Sequence, residues 1–366
     1  MPIGPGSLVL STARALQASM LALGVSFASV GYAHACAFDM IKPERTAIDW
    51  IVETETLVLA RPSSGNRFAY EITEVLRGTP TAQPIDHLVN TIDRKRLNAE
   101  PEDSMLFAFD GTAWTRVALV DATFRKTLQT ALSNTGAWFA AMPQSRIDFV
   151  ETLQQSNDPR HKAIVIGELD KVPYEALRRF DLQISDDEIL DLLWSREGYA
   201  YQAILALLLG LSGTSLAQAE IEDYIDRVED WDWANNLGAF AAAFIELEGV
   251  EGVDRLASGM LADRSQPLDK VEQVVMALSV HHALAEPEVK SAIQTAISDL
   301  LHARPETAAL IARQFALRAD WSQAALLEPM VEDRQFSTMQ DLLIVSVYVA
   351  QAREQKDVEG GPEKEG

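Results

Sequence analysis

Residues 198–219 read GYAYQAILALLLGLSGTSLAQA, twenty-two residues without a charge in a chain of 366. A run of that length can cross a bilayer or form the buried helix of a soluble core. Gln202, Ser212, Thr214, Ser215 and Gln218 interrupt it with polar groups, and Gly210 and Gly213 punctuate its second half. The continuous apolar part is therefore only residues 200–211, which is core-helix length. Ser215 followed by Gln218 has capping-box spacing and predicts a new helix there. The run reads as the most deeply buried helix of an all-α region, and the mature chain is expected to have no transmembrane span.

Beyond this run, apolar residues recur at helical spacing: Ile221, Tyr224, Ile225 and Val228, then Leu237, Phe240, Phe244 and Leu247. Helix starts are expected near residues 267, 286, 305, 322 and 337, three of them marked by proline, which suits a first helical turn. Two helices per unit give a repeat of about 35 residues, in the range of helical-hairpin solenoids. Residues 122–352 are accordingly expected to form an all-α, HEAT-like array, with an irregular bundle as the alternative. Residues 353–366 are polar and rich in Gly and Glu, and predict a disordered acidic tail.

On the N-terminal side the period shifts from 3.6 to two. Strands are expected at residues 56–60, 68–76, 85–89, 105–109 and 114–120, with Asp110-Gly111 as a hairpin turn. Five strands in so short a stretch predict a small antiparallel β-barrel or sandwich over residues 36–121. A helix is expected to start around Lys42-Pro43-Glu44, with Ile48, Ile51 and Val52 as its apolar stripe. The fold class is thus α+β and multidomain.

Residues 1–35 have the features of a secretory signal peptide: one charge at Arg14, an apolar stretch over residues 20–30, and Ala33-His34-Ala35 as a small-x-small cleavage pattern. Cys36, the only cysteine, rules out an intramolecular disulfide and lies at the cleavage site. It is a candidate for lipidation, with a free thiol or removal by cleavage after Ala37 as the alternatives. The formal charge of −23 disfavours nucleic acid, whose phosphates need Lys and Arg, and repels an anionic membrane surface. The expected location is the periplasm.

Candidate chemistry is sparse. His281 and His282 are adjacent, about 100° apart on a helix, so a zinc site would need His302 and Glu286 or Glu288 as well. The plain alternative is a surface or helix-end histidine pair. The stretch 229–236, EDWDWANN, suggests a calcium loop but puts Ala234 and Asn235 where a ligand and a glycine belong. Trp231 and Trp233 in it either pack into a helical hairpin or anchor a partner. Arg94-Lys95-Arg96 reads as a solvated loop able to recognise an anionic partner. Phosphate-binding, dinucleotide-binding and nucleophile-elbow motifs are absent from the sequence. No catalytic residue, metal site or cofactor is assigned.

Two resemblances add to this. Cys36 followed by ETLVLARPSSGNRFAYEITEVLRG at 55–78 resembles the first hairpin of netrin-like (tissue-inhibitor-of-metalloproteinase-like) domains, which are OB-type barrels opening with a cysteine. That resemblance implies a protease-inhibitor-like module; here Phe38 stands where the family carries the second cysteine of its Cys-x-Cys start. LALLLGLSG at 205–213 and RPETAALIARQFALRADW at 304–321 resemble uncharacterised secreted bacterial proteins with a HEAT-like helical region. The expected function is a periplasmic protein-binding or scaffold role toward another envelope protein. A hydrolase with unidentified catalytic acids is the alternative.

Overall fold

The computed structural model describes residues 45–79, 83–231 and 234–359. The leader expected at 1–35, Cys36 and Trp233 lie outside the described residues. Contacts divide the chain into two compact units, one ending at Ala303 and the other beginning at Arg304. The domain boundary expected at residues 121–122 thus falls inside the first unit.

Helix α1 (Ala47–Glu53) starts on a capping box: the Thr46 side chain accepts from the Asp49 N–H, and the Asp49 carboxylate accepts from the Thr46 N–H. Ile48, Ile51 and Val52 are buried, as their spacing predicts. Strands β1 (Thr56–Pro62) and β2 (Tyr70–Arg77) follow. The chain then forms helix α2 (Thr91–Ala99) before β3 (Ser104–Phe109) and β4 (Trp114–Val120). The sheet is antiparallel in the order β2-β1-β3-β4. The turn between β3 and β4 is where Asp110-Gly111 places it, with Asp110 accepting from the Thr112 and Ala113 N–H groups and Gly111 at φ +98°.

Two expectations are corrected here. Residues 85–89 do not form a strand; only Leu88 pairs, in a single bridge with Ala69. The Arg94-Lys95-Arg96 run is not a loop but part of α2, which Asn90 caps by accepting from the Asp93 N–H. Leu97, buried, fixes that helix to the sheet core formed by Val58, Ala60, Tyr70, Ile85, Val89, Met105, Phe107 and Trp114. Among the described residues the sheet has four strands and no fifth bridges its edges, so it stays open instead of closing into a barrel.

The first unit continues through helix α3 (Ala122–Ser133), which packs on α1 and β4, then α4 (Thr135–Trp138), α5 (Gln144–Gln154), α6 (Pro159–Leu169), α7 (Tyr174–Leu177) and α8 (Asp186–Leu193). Asp158 caps α6 with Pro159 at its first position, and Ser185 caps α8. The 198–219 run divides at Gly213, which takes a left-handed conformation at φ +65°. Residues 203–210 of helix α9 (Gln202–Ser212) are all buried. The next helix, α10 (Ser215–Glu229), is capped by Thr214, one residue before the expected cap, because the Thr214 hydroxyl accepts from the Ala217 N–H. Helices α11 (Leu237–Glu248), α12 (Val250–Leu256), α13 (Leu268–Leu284) and α14 (Pro287–Ala303) complete the unit.

Helices α9, α11 and α13 lie side by side in chain order, each followed by a partner that packs back on it: α10, α12 and α14. Contact between α9 and α11 is very close. A Cβ on Gly210 would fall 2.6 Å from the Ala243 Cα, so only glycine fits there.

A buried ionic network ties α1 to α5 and α6. The Arg146 guanidinium donates to Glu168 (Nε–Oε2, 2.6 Å) and to Asp49 (Nη2–Oδ1, 3.0 Å), and to the Trp138 and Ala141 carbonyls. Lys171 Nζ lies 2.6 Å from Asp49 Oδ2 and 2.8 Å from Glu168 Oε1, and the Thr46 hydroxyl donates to Glu168 at 2.7 Å. Burial pushes the Asp49 carboxyl up, but Lys171, the Thr46 N–H and Arg146 outweigh it and hold the group below its ordinary value. Burial likewise pulls Arg146 down, and Glu168 and Asp49 more than reverse it.

In the second unit, helices α15 (Ala308–Ala316) and α16 (Ala324–Glu332) pack on α17 (Met339–Glu359). Val345, Tyr348, Val349 and Ala352 form the buried face of α17, while Met339, Leu343 and Val347 stand exposed on the other side. The Tyr348 hydroxyl donates to the Asp320 carbonyl and accepts from the Gln323 N–H, closing the turn before α16. Residues 353–359, expected in a disordered tail, continue α17, and residues 360–366 lie outside the described residues.

Candidate partner-binding surface

The loop that joins α10 to α11 is built from below by α13. Lys270, fully buried, donates from Nζ to the carbonyls of Val228 (2.6 Å), Trp231 (2.8 Å) and Glu229 (3.3 Å). These carbonyls belong to the last turn of α10 and the residues just after it, where unpaired C=O groups and the negative end of the helix dipole favour a cation. Gln266 donates to the Glu229 carbonyl at 3.0 Å, and Gln273 donates to the Ala234 carbonyl and accepts from the Gly238 N–H. Tyr224 on α10 donates its hydroxyl to the Asn235 carbonyl. The loop backbone is thus held by side chains at both of its ends.

This scaffold presents Trp231 with 46 % of its surface exposed. The sequence pairs it with Trp233, whose place the structure does not describe. Instead, Trp194, at the end of α8, supplies a second exposed indole at 49 %. It covers an aromatic stack in which Tyr224 and Phe240 lie 3.6 Å apart and 13° from parallel, with Trp194 6.1 Å from Phe240. The Arg227 guanidinium lies over the Trp194 ring at 5.8 Å, and the indole N–H donates to Glu220 at 2.9 Å. Arg227 comes one helical turn before Trp231. Burial raises the Tyr224 phenol, so the hydroxyl stays protonated and keeps its bond to the loop.

Sequence reasoning missed Trp194 and Lys270. Lys270 did leave a signal: it shares the helical phase of Val274, Ala277 and His281, all buried, so a lysine there needs buried acceptors. Trp194 ends a short helix and has no such pattern.

The histidines do not gather. His281 and His282 stand in the last turn of α13, as a helix-end pair, and both are buried instead of lying on the surface. The His281 Nε2–H donates to the Ala242 carbonyl at 2.9 Å, Gln294 donates to His282, and the His302 Nδ1–H donates to the Ser298 carbonyl. Among the described residues no group of three or more His, Cys, Asp or Glu side chains could hold a metal ion.

Next to His281 a polar cluster forms, with the Tyr174 hydroxyl donating to Glu246 at 3.0 Å and Arg178 Nε donating to its other oxygen at 3.0 Å. Burial drives His281 down to about 4, against the pull of Glu246, and raises Tyr174 well above its ordinary value. At neutral pH both rings are uncharged. Asp121 and Asp158, both beside Arg160, are held below their ordinary values. A lowered carboxyl is a poor proton donor at neutral pH. No family model, curated protein or solved structure matches the chain.

Proposed function

We propose that this chain is a periplasmic binding or scaffold protein that engages another envelope protein through the surface of Trp194, Arg227 and the Trp231 loop. The observation that carries this reading is a pair of half-exposed indoles, Trp231 on backbone held by buried Lys270 and Trp194 seated on the Tyr224 and Phe240 rings. A large aromatic side chain on rigid support gives up little entropy when a partner covers it, which is why tryptophan dominates binding hot spots. The stacking of α9, α11 and α13 with α10, α12 and α14 supports reading the helices as a HEAT-like array, an architecture suited to broad protein contacts. Export rests on the sequence of residues 1–35.

The test places a photo-crosslinking amino acid at position 194 or 231 in the producing cell and identifies what is captured. The expected result is one envelope protein common to both positions. Its purified form should bind the Trp194→Ala, Trp231→Ala double variant at least about tenfold more weakly than the parent, with unchanged melting. Equal binding by the double variant, or no product common to the two positions, would overturn the reading.

A further inference from the structure

We propose that a second surface, at the end of the β-sheet, docks on an anionic lipid bilayer, independently of the partner surface above. The Val89 N–H donates to the Phe68 carbonyl at 2.9 Å, and Ala69 bridges to Leu88, so the two loops run side by side and lead directly into α2. This brings the backbone at Phe68 beside that at Leu88 and Val89, one turn before Ile92, and Phe68, Leu88 and Ile92 have 48 %, 78 % and 79 % of their surfaces exposed. Single exposed apolar side chains are ordinary, whereas three together at such exposure are not.

The cations there are placed differently from their neighbours. The guanidinium carbons of Arg67 and Arg94 lie 4.8 and 5.6 Å from the Phe68 ring centre, and Lys95 is exposed one residue on. No described carboxylate forms an ion pair with any of these three. Arg96, by contrast, pairs with Asp103 and Asp121, and Arg116 neutralises Asp93 at 2.7 Å. Glu71, Glu74, Asp86 and Glu100 are the exposed acids of the flanking segments, and none of them pairs with these three cations in a chain whose total is −23.

Shape selects the occupant. Side chains nearly four-fifths exposed stand out from the surface, whereas a bound peptide needs a groove whose walls cover part of each apolar residue. A bilayer accepts protruding aliphatic groups at the headgroup–acyl boundary and meets the cations with phosphate. Repulsion of the remaining acidic surface is screened beyond about 8–10 Å at ordinary salt, and what is left of it turns the sheet end toward the lipid.

The test floats the full chain with vesicles of phosphatidylcholine alone or with about one-third phosphatidylglycerol, at low and high salt. The expected result is binding to the anionic vesicles that weakens with salt. The Leu88→Ser, Ile92→Ser variant should bind about tenfold more weakly, and Arg67→Gln, Lys95→Gln should remove most of the salt dependence. All four positions are exposed, so circular dichroism should be unchanged. No flotation at low salt would overturn the proposal. So would retained binding in the Leu88, Ile92 variant, or a loss produced instead by Leu343→Ser on α17. A protein crosslinked at position 92, without vesicle binding, would make the surface a protein interface and overturn the bilayer.

Discussion

The first unit buries charge in two ways. Around Arg146, two cations and two carboxylates neutralise one another across helices α1, α5 and α6. At Lys270, a fully buried cation is held by the backbone carbonyls at the end of α10. The first arrangement joins segments that are 97 and 122 residues apart in sequence, so it acts on the assembly of the unit. The second joins one helix to one loop and sets the shape of that loop. Burying a charge is costly in either setting, and what differs is how far the repayment reaches.

The sharpest way to break the contrast is Arg146→Ala. It leaves Asp49 and Glu168 in the interior with only Lys171 between them, and the expected loss is about 3–5 kcal/mol, read from the urea midpoint. A loss below about 1 kcal/mol would mean that water replaces the guanidinium, as at surface pairs, and the contrast would collapse. Lys270→Met should be milder, about 1–3 kcal/mol, because it strands carbonyl groups but no opposing charge. Amide exchange should accelerate around the Trp231 loop and remain unchanged in α1 and α5. Acceleration across the whole unit would show that Lys270, too, is global.

The smallest effect is that of pH. The Asp49 carboxyl titrates below its ordinary 3.8 in the folded chain, so its contribution is complete above that value and is lost as pH falls through the lower folded value. Stability measured from pH 5 downward should therefore fall less steeply in Lys171→Met than in the parent, since the cation that holds the carboxylate is gone. Identical slopes would place the acid sensitivity elsewhere among the carboxylates.

Much of the fold could be read from local pattern. The short apolar runs of β1 and β3, the Asp158 and Ser185 caps and the apolar block of α9 are each decided by neighbours a few residues away. Helix α2 was hidden because its sequence is polar almost throughout, with Leu97 as the only apolar side chain it buries, and the Asn90 cap is what starts it. The candidate surface was half legible. Trp231 stood out by composition, whereas its support from Lys270 and the Trp194 ring over Tyr224 and Phe240 depend on contacts between helices, which periodicity does not encode. The Arg146 network shows the same limit: no spacing in the chain relates Asp49 to Arg146 or Lys171.

The burial of Lys270 has a practical consequence in covalent labelling. An amine with no accessible surface and its N–H groups committed to carbonyls is closed to acylating reagents in the folded state. Modification at that one lysine therefore requires the loop to open first, and its rate, followed by peptide mass, counts those openings without any engineered probe.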